Sequence, residues 1–149
     1  MLRRALMLSV VAFLPVVVAG AAAQSLSPDQ RRALDAAERW LVPVDAQRYN
    51  DAWAMASAPF KAAVSRDEWR DGIRKIRKDY GKVVVRKGER MAYVGEAPGP
   101  DHPTTGPKEG MKIGILFDST FAGNKKATEE MTMVYEKDGL WRVAGYYIR

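Results

Sequence analysis

The hydrophobic period changes once along this chain, and the change falls at Gly81. Before it, apolar residues recur three and four apart; after it, they alternate. A helical period followed by a period of two requires helices first and strands second, packed face to face around one core. That order points to an α+β domain: two or three N-terminal helices packed on a curved antiparallel sheet of four to five meandering strands.

The helical half carries its own start signals. Ser27-Pro28-Asp29-Gln30 places a serine N-cap, a proline in the first turn and a glutamine at the capping-box position. Ala33, Ala37, Trp40, Leu41 and Val44 follow at helical spacing, with Pro43 expected to kink the helix or end it near Val42. Asp45 to Ser57 reads as a second helix, with Tyr49, Trp53 and Ala56 on one face. Ala58-Pro59 breaks it, and Phe60, Ala63 and Val64 form a short apolar bridge. Ser65-Arg66-Asp67-Glu68 is a full capping box, opening a helix that runs to about Tyr80. Its apolar stripe reads Trp69, Ile73, Ile76 and Tyr80, with Arg70, Arg74, Arg77 and Lys78 off it; Gly81 stops it.

In the alternating half, Lys82 to Arg86 and Glu89 to Val94 read as two strands around Lys87-Gly88. Gly95 to Lys108 contains four prolines and three glycines and reads as a loop, a flexible flap or a functional rim. Met111, Ile113, Ile115 and Phe117 face inward on one strand. Met131, Met133 and Tyr135 do so on the next, after a turn at Gly123-Asn124-Lys125-Lys126. Asp138-Gly139 is a hairpin signal before a last strand, Leu140 to Ile148. Of Tyr146 and Tyr147, one must point away from the core unless Gly145 sits in a bulge.

The N-terminus reads as an export signal. Arg3-Arg4 precede an apolar run of 16 residues, Ala5 to Gly20, which ends in Ala21-Ala22-Ala23. The run is shorter than the roughly 20 residues needed to span a bilayer, and the residues after Arg3-Arg4 match a twin-arginine signal poorly. Cleavage near Ala23 would leave residues 24–149 as a single domain, periplasmic or secreted. The chain has no cysteine, which excludes a lipoprotein anchor, disulfides and thiolate metal sites, so packing must stabilise the domain. A lone histidine, His102, cannot build a multi-histidine zinc site. No cofactor is indicated. The net charge of +6 favours anionic surfaces without naming one.

Three segments carry a resemblance: Ala37-Glu38-Arg39-Trp40-Leu41 with Val44-Asp45, Tyr49 and Trp53; Phe60-Lys61 leading into Ser65-Arg66-Asp67-Glu68-Trp69; and Asp138-Gly139-Leu140-Trp141-Arg142-Val143-Ala144-Gly145-Tyr146-Tyr147-Ile148. Together they resemble the bacterial domain of unknown function 4019. That family is similar to the nuclear transport factor 2-like, cystatin-like cone folds, in which helices close one side of a curved sheet and leave a pocket. The resemblance implies a shape and no activity, because such a fold hosts enzymes, binders and structural modules alike.

The residues weigh toward a non-enzymatic ligand-binding or protein-interaction module. An isomerase- or dehydratase-type enzyme needs a tuned acid or base in the pocket. The inward strand positions supply none, and the nearest carboxylates, Asp118 and Glu130, face outward by alternation. Trp53, Tyr80, Phe117, Met133 and Trp141 are the candidate lining for a small apolar ligand, or else core filling. Between Arg66 and Arg90 stand ten Lys/Arg and five Asp/Glu; these interleave as on a solvated helix face, and no nucleic-acid motif accompanies them. An envelope protein is the other partner class, and a homodimer is left open.

Overall fold

Four helices precede four strands in the computed structural model, which describes residues 25–95 and 106–149. The leader up to Ala23, His102 and most of the Gly95–Lys108 loop lie outside the described residues. Helix α1 (Pro28–Asp45) opens on the expected capping box, Ser27 Oγ accepting from Gln30 N and Gln30 Oε1 from Ser27 N. It runs through Pro43 and ends within one further turn, where Ala46 N donates to Val42 O and Arg48 N to Pro43 O. The proline sits so close to the end that few helical bonds remain to lose.

Helix α2 (Tyr49–Met55) is shorter than its pattern suggests, and the Phe60 bridge is a helix of its own, α3 (Ala58–Ala63), capped by the buried Ser57. Ser57 N also donates to Val143 O at 2.9 Å, tying α3 to the sheet. Helix α4 (Arg66–Tyr80) starts on the second capping box, Ser65 with Glu68. Its buried stripe is Trp69, Ile73 and Arg77, spaced four apart. Ile76, expected inside, is 43% exposed, and Arg77, expected outside, is buried. A stripe stepping by four drifts from one stepping by three and four, and an arginine can follow it inward only where carboxylates await it.

The sheet is an antiparallel meander, β1 (Val83–Val94), β2 (Lys112–Phe121), β3 (Lys125–Tyr135) and β4 (Trp141–Ile148), in sequential order. Lys87-Gly88 is not a turn. The ladder slips there, from Lys87 opposite Asp118 to Arg90 opposite Leu116, so the two expected strands are one strand with a bulge. A second slip lies in β4: Thr132 pairs with Gly145, but Met133 pairs with Val143. Trp141, Val143 and Tyr146 therefore face the core, and Tyr147 is 64% exposed.

The core lies between α1 and the inner sheet face. Trp40 is its centre, with ring centroids of Phe60, Trp69 and Tyr146 at 6.4, 5.5 and 5.3 Å. Its indole N–H donates to Ala52 O at 2.8 Å, and that of Trp69 donates to Tyr49 O at 2.9 Å. Both buried indoles thus satisfy their donors while fixing α2 against α1 and α4. Burying a ring of about 200 Å² contributes roughly 5 kcal/mol at 25 cal/mol/Å², so this aromatic cluster outweighs the exposed ion pairs such as Arg48–Asp51, each worth about 0–1 kcal/mol.

Candidate functional site

The inward face of β3 continues past Met131 to Glu129, a fully buried carboxylate opposite Phe117. The expectation that the inward strand positions hold no acid is corrected here. Parity along the strand puts Glu129 on the same face as Met131 and Met133, while Asp118 and Glu130 do face away, paired with Arg90 and Arg149.

Glu129 is held from four sides. Arg86 on β1 donates Nε to Oε2 at 2.6 Å and Nη2 to Oε1 at 3.0 Å. Ser119 Oγ donates to Oε2, and Tyr146 O–H donates to Oε1 at 2.5 Å. Arg77 Nη1 stands 3.7 Å from Oε1. The same two arginines reach Asp45 at the end of α1: Arg77 Nη2 at 2.6 Å, Arg86 Nη1 at 2.9 Å and Nη2 at 3.0 Å. Two carboxylates and two guanidiniums thus close a neutral network that joins α1, α4, β1 and β3.

The network sets the protonation of its members. Burial alone would raise the Glu129 carboxyl, but the bond and charge of Arg86, with the Ser119 and Tyr146 hydroxyls, offset it and hold the carboxyl below its ordinary range. Burial opposes the charge on Arg86 too, and its bonds to Asp45 and Glu129 raise it well above its ordinary value. Tyr146 is pushed far up by burial and by the Glu129 charge. With both oxygens occupied and no exposure, Glu129 has no lone pair to offer a substrate as a base. Its chemistry here is to anchor.

Outside this network opens a cavity of about 350 Å³. Asp45 bounds it from the end of α1, Gln47 from the α1–α2 turn, Tyr49 from α2, Arg74, Arg77 and Lys78 from α4, and Gly81-Lys82 from the approach to β1. Gln47 takes φ 58, a left-handed conformation uncommon outside glycine. Tyr49 is buried, and burial raises its hydroxyl above the ordinary value, so it keeps its proton. The floor is fixed, because Arg77 and Asp45 are network members.

The aromatic and methionine candidates go elsewhere. Phe117 and Met133 are wholly buried in the core. Tyr80 is half-buried with its ring 5.1 Å from Phe121. Trp53 donates its indole N–H to Val64 O at 2.9 Å and lies beneath Lys61 and Arg66. Trp141 packs on Tyr135 at 5.3 Å and borders an open groove with Arg32, Arg39 and Arg142. These five side chains do not converge on one cavity. Among the described residues no three His, Asp or Glu side chains group as metal ligands, and no helix is long and apolar enough to cross a membrane.

Comparison with known proteins gives three findings. No curated protein matches. Among solved structures, a protein from Catenulispora acidiphila matches at 12% identity with a TM-score of 0.44, over 80% of this chain and 88% of its own. The family model described as "Protein of unknown function (DUF4019)" matches residues 36–146, from the middle of α1 to Tyr146 of β4. By that match, which takes in the cavity and the whole buried network, the chain belongs to the DUF4019 family.

Proposed function

We propose that this protein is an exported, non-enzymatic binding module that takes a small ligand in the cavity between the α1–α2 turn and the C-terminal half of α4. The observation that carries this reading is the pairing of an open polar cavity with a rigid floor. Asp45 and Arg77 line the cavity and are locked by hydrogen bonds and ion pairs to Arg86 and Glu129. A binding surface held by buried partners needs little ordering when a ligand arrives. Helices on one face of an antiparallel sheet with bulges in β1 and β4 support a nuclear transport factor 2-like cone. The sequence leads one to expect an apolar ligand; the candidate aromatics are used in packing, and most of the residues that border the cavity carry charged or polar side chains over their own apolar stems.

The export signal, with cleavage near Ala23, supports a periplasmic or secreted location. The test is a fragment screen on the mature chain, read by amide NMR shifts. Perturbations are expected to cluster at Gln47, Tyr49, Lys78 and Lys82. Shifts confined to the Trp141 groove or scattered over the sheet would overturn the reading.

A further inference from the structure

We infer that the ligand of this cavity presents an oxyanion, a carboxylate or phosphate group, to Arg74, Lys78 and Lys82, with the Tyr49 hydroxyl as an additional donor; this inference rests on the binding reading above. Four cationic side chains and one carboxylate line the cavity. The carboxylate, Asp45, is already bonded to Arg77 and Arg86. Among the described residues, Lys78 and Lys82 form no ion pair, and Arg74 reaches only the exposed Asp71 at 3.5 Å. The C-terminal carbonyls of α4 point toward this region, but a helix end amounts to roughly half a negative charge. That is too little to cancel the excess of cations.

A concave wall focuses such a field and raises the local concentration of anions. Tyr49 adds geometry to charge. Its ring is buried while its side chain borders the cavity, and its retained proton can donate to an oxygen seated there. The same oxyanion chemistry belongs to free phosphate, to small carboxylic acids and to the headgroup of an anionic lipid.

The experiment titrates the mature chain at low salt with inorganic phosphate, with citrate, and with phosphatidylglycerol vesicles against phosphatidylcholine vesicles. Amide shifts follow the soluble ions and co-sedimentation follows the vesicles. Saturable shifts at Gln47, Tyr49 and Lys82 with phosphate or citrate are expected. A triple variant, Arg74→Ala with Lys78→Ala and Lys82→Ala, should bind about tenfold more weakly or worse, because it loses several exposed charge contacts. A control removing Lys112 and Lys137 should bind as the parent does, with circular dichroism confirming that both variants fold.

Vesicle binding without soluble-ion binding would assign the oxyanion to a lipid headgroup, provided the triple variant abolishes it and the control does not. Equal losses in the triple variant and the control would overturn the site in favour of general charge. Uncharged fragments shifting the cavity amides while no oxyanion does would overturn the ligand class and leave the binding reading standing. Silence from both would end both.

Discussion

Arg86 grips Glu129 through two bonds, Nε to Oε2 at 2.6 Å and Nη2 to Oε1 at 3.0 Å. The residues stand 43 positions apart in the chain, on strands that are not neighbours in the sheet. The pair reaches across β2, with Ser119 of that strand bonded to the same carboxylate. Charge-assisted bidentate geometry of this kind is strong, and in a buried setting its rupture leaves a charge without solvent or partner.

Replacing Glu129 with Gln keeps the shape and removes the charge. Arg77 and Arg86 would then share only Asp45. We expect a loss of about 3–5 kcal/mol, measured by urea denaturation of the mature chain. Tyr146→Phe should cost less. The double variant should fall short of the sum, because Glu129→Gln takes the charge from the bond that Tyr146→Phe removes. Additive losses would show that the Tyr146–Glu129 contact contributes nothing of its own.

Acid should unfold the protein partly through this carboxyl. In the unfolded chain Glu129 takes up a proton near its ordinary value of 4.5; in the folded chain its value is lower. Between the two the unfolded state binds more protons, so stability falls as pH drops through that window. The urea midpoint of the parent should therefore decline below about pH 4.5, and that of Glu129→Gln should decline less steeply. Parallel curves would refute the assignment.

Gly81 ends α4 at φ 79 and ψ −156, a region that is essentially glycine-only. A Cβ there would also sit 3.2 Å from Ala122 Cβ. Gly81→Ala should cost about 1–3 kcal/mol in a thermal or urea melt. It should also disturb the neighbouring cavity wall, seen as shifted Lys82 amide resonances.

The proposed export gives a prediction about mass. Protein released from the periplasm by osmotic shock should begin near Gln24. An intact Met1 in that fraction, or retention of the full chain with membranes, would refute cleavage.

Local signals made much of the scaffold legible. Ser27 with Gln30 and Ser65 with Glu68 mark the starts of both long helices to the residue, and the alternation from Ile113 to Phe117 gives the face of β2. The network leaves no such local mark. Glu129 and Arg77 are charged, and a charge is ordinarily assigned to solvent. What rescues them is the partner at a distance: 32 positions separate Arg77 from Asp45. No local period carries that information. One signal was present, since stepping back by two from Met131 lands on Glu129. Lys87-Gly88 misled for a related reason, because a bulge and a turn use the same residues and differ only in whether the strand continues.

The slipped pairing in β4 has a consequence for how the strand finds its alignment. Without the extra residue between Thr132's partner and that of Met133, Tyr147 would face inward and Tyr146 would face water. An apolar core would accept either tyrosine ring at little difference. Glu129 does not, because its Oε1 bonds the Tyr146 hydroxyl. The buried carboxylate therefore acts as a register gauge, telling apart two strand alignments that hydrophobic burial alone would leave nearly equal.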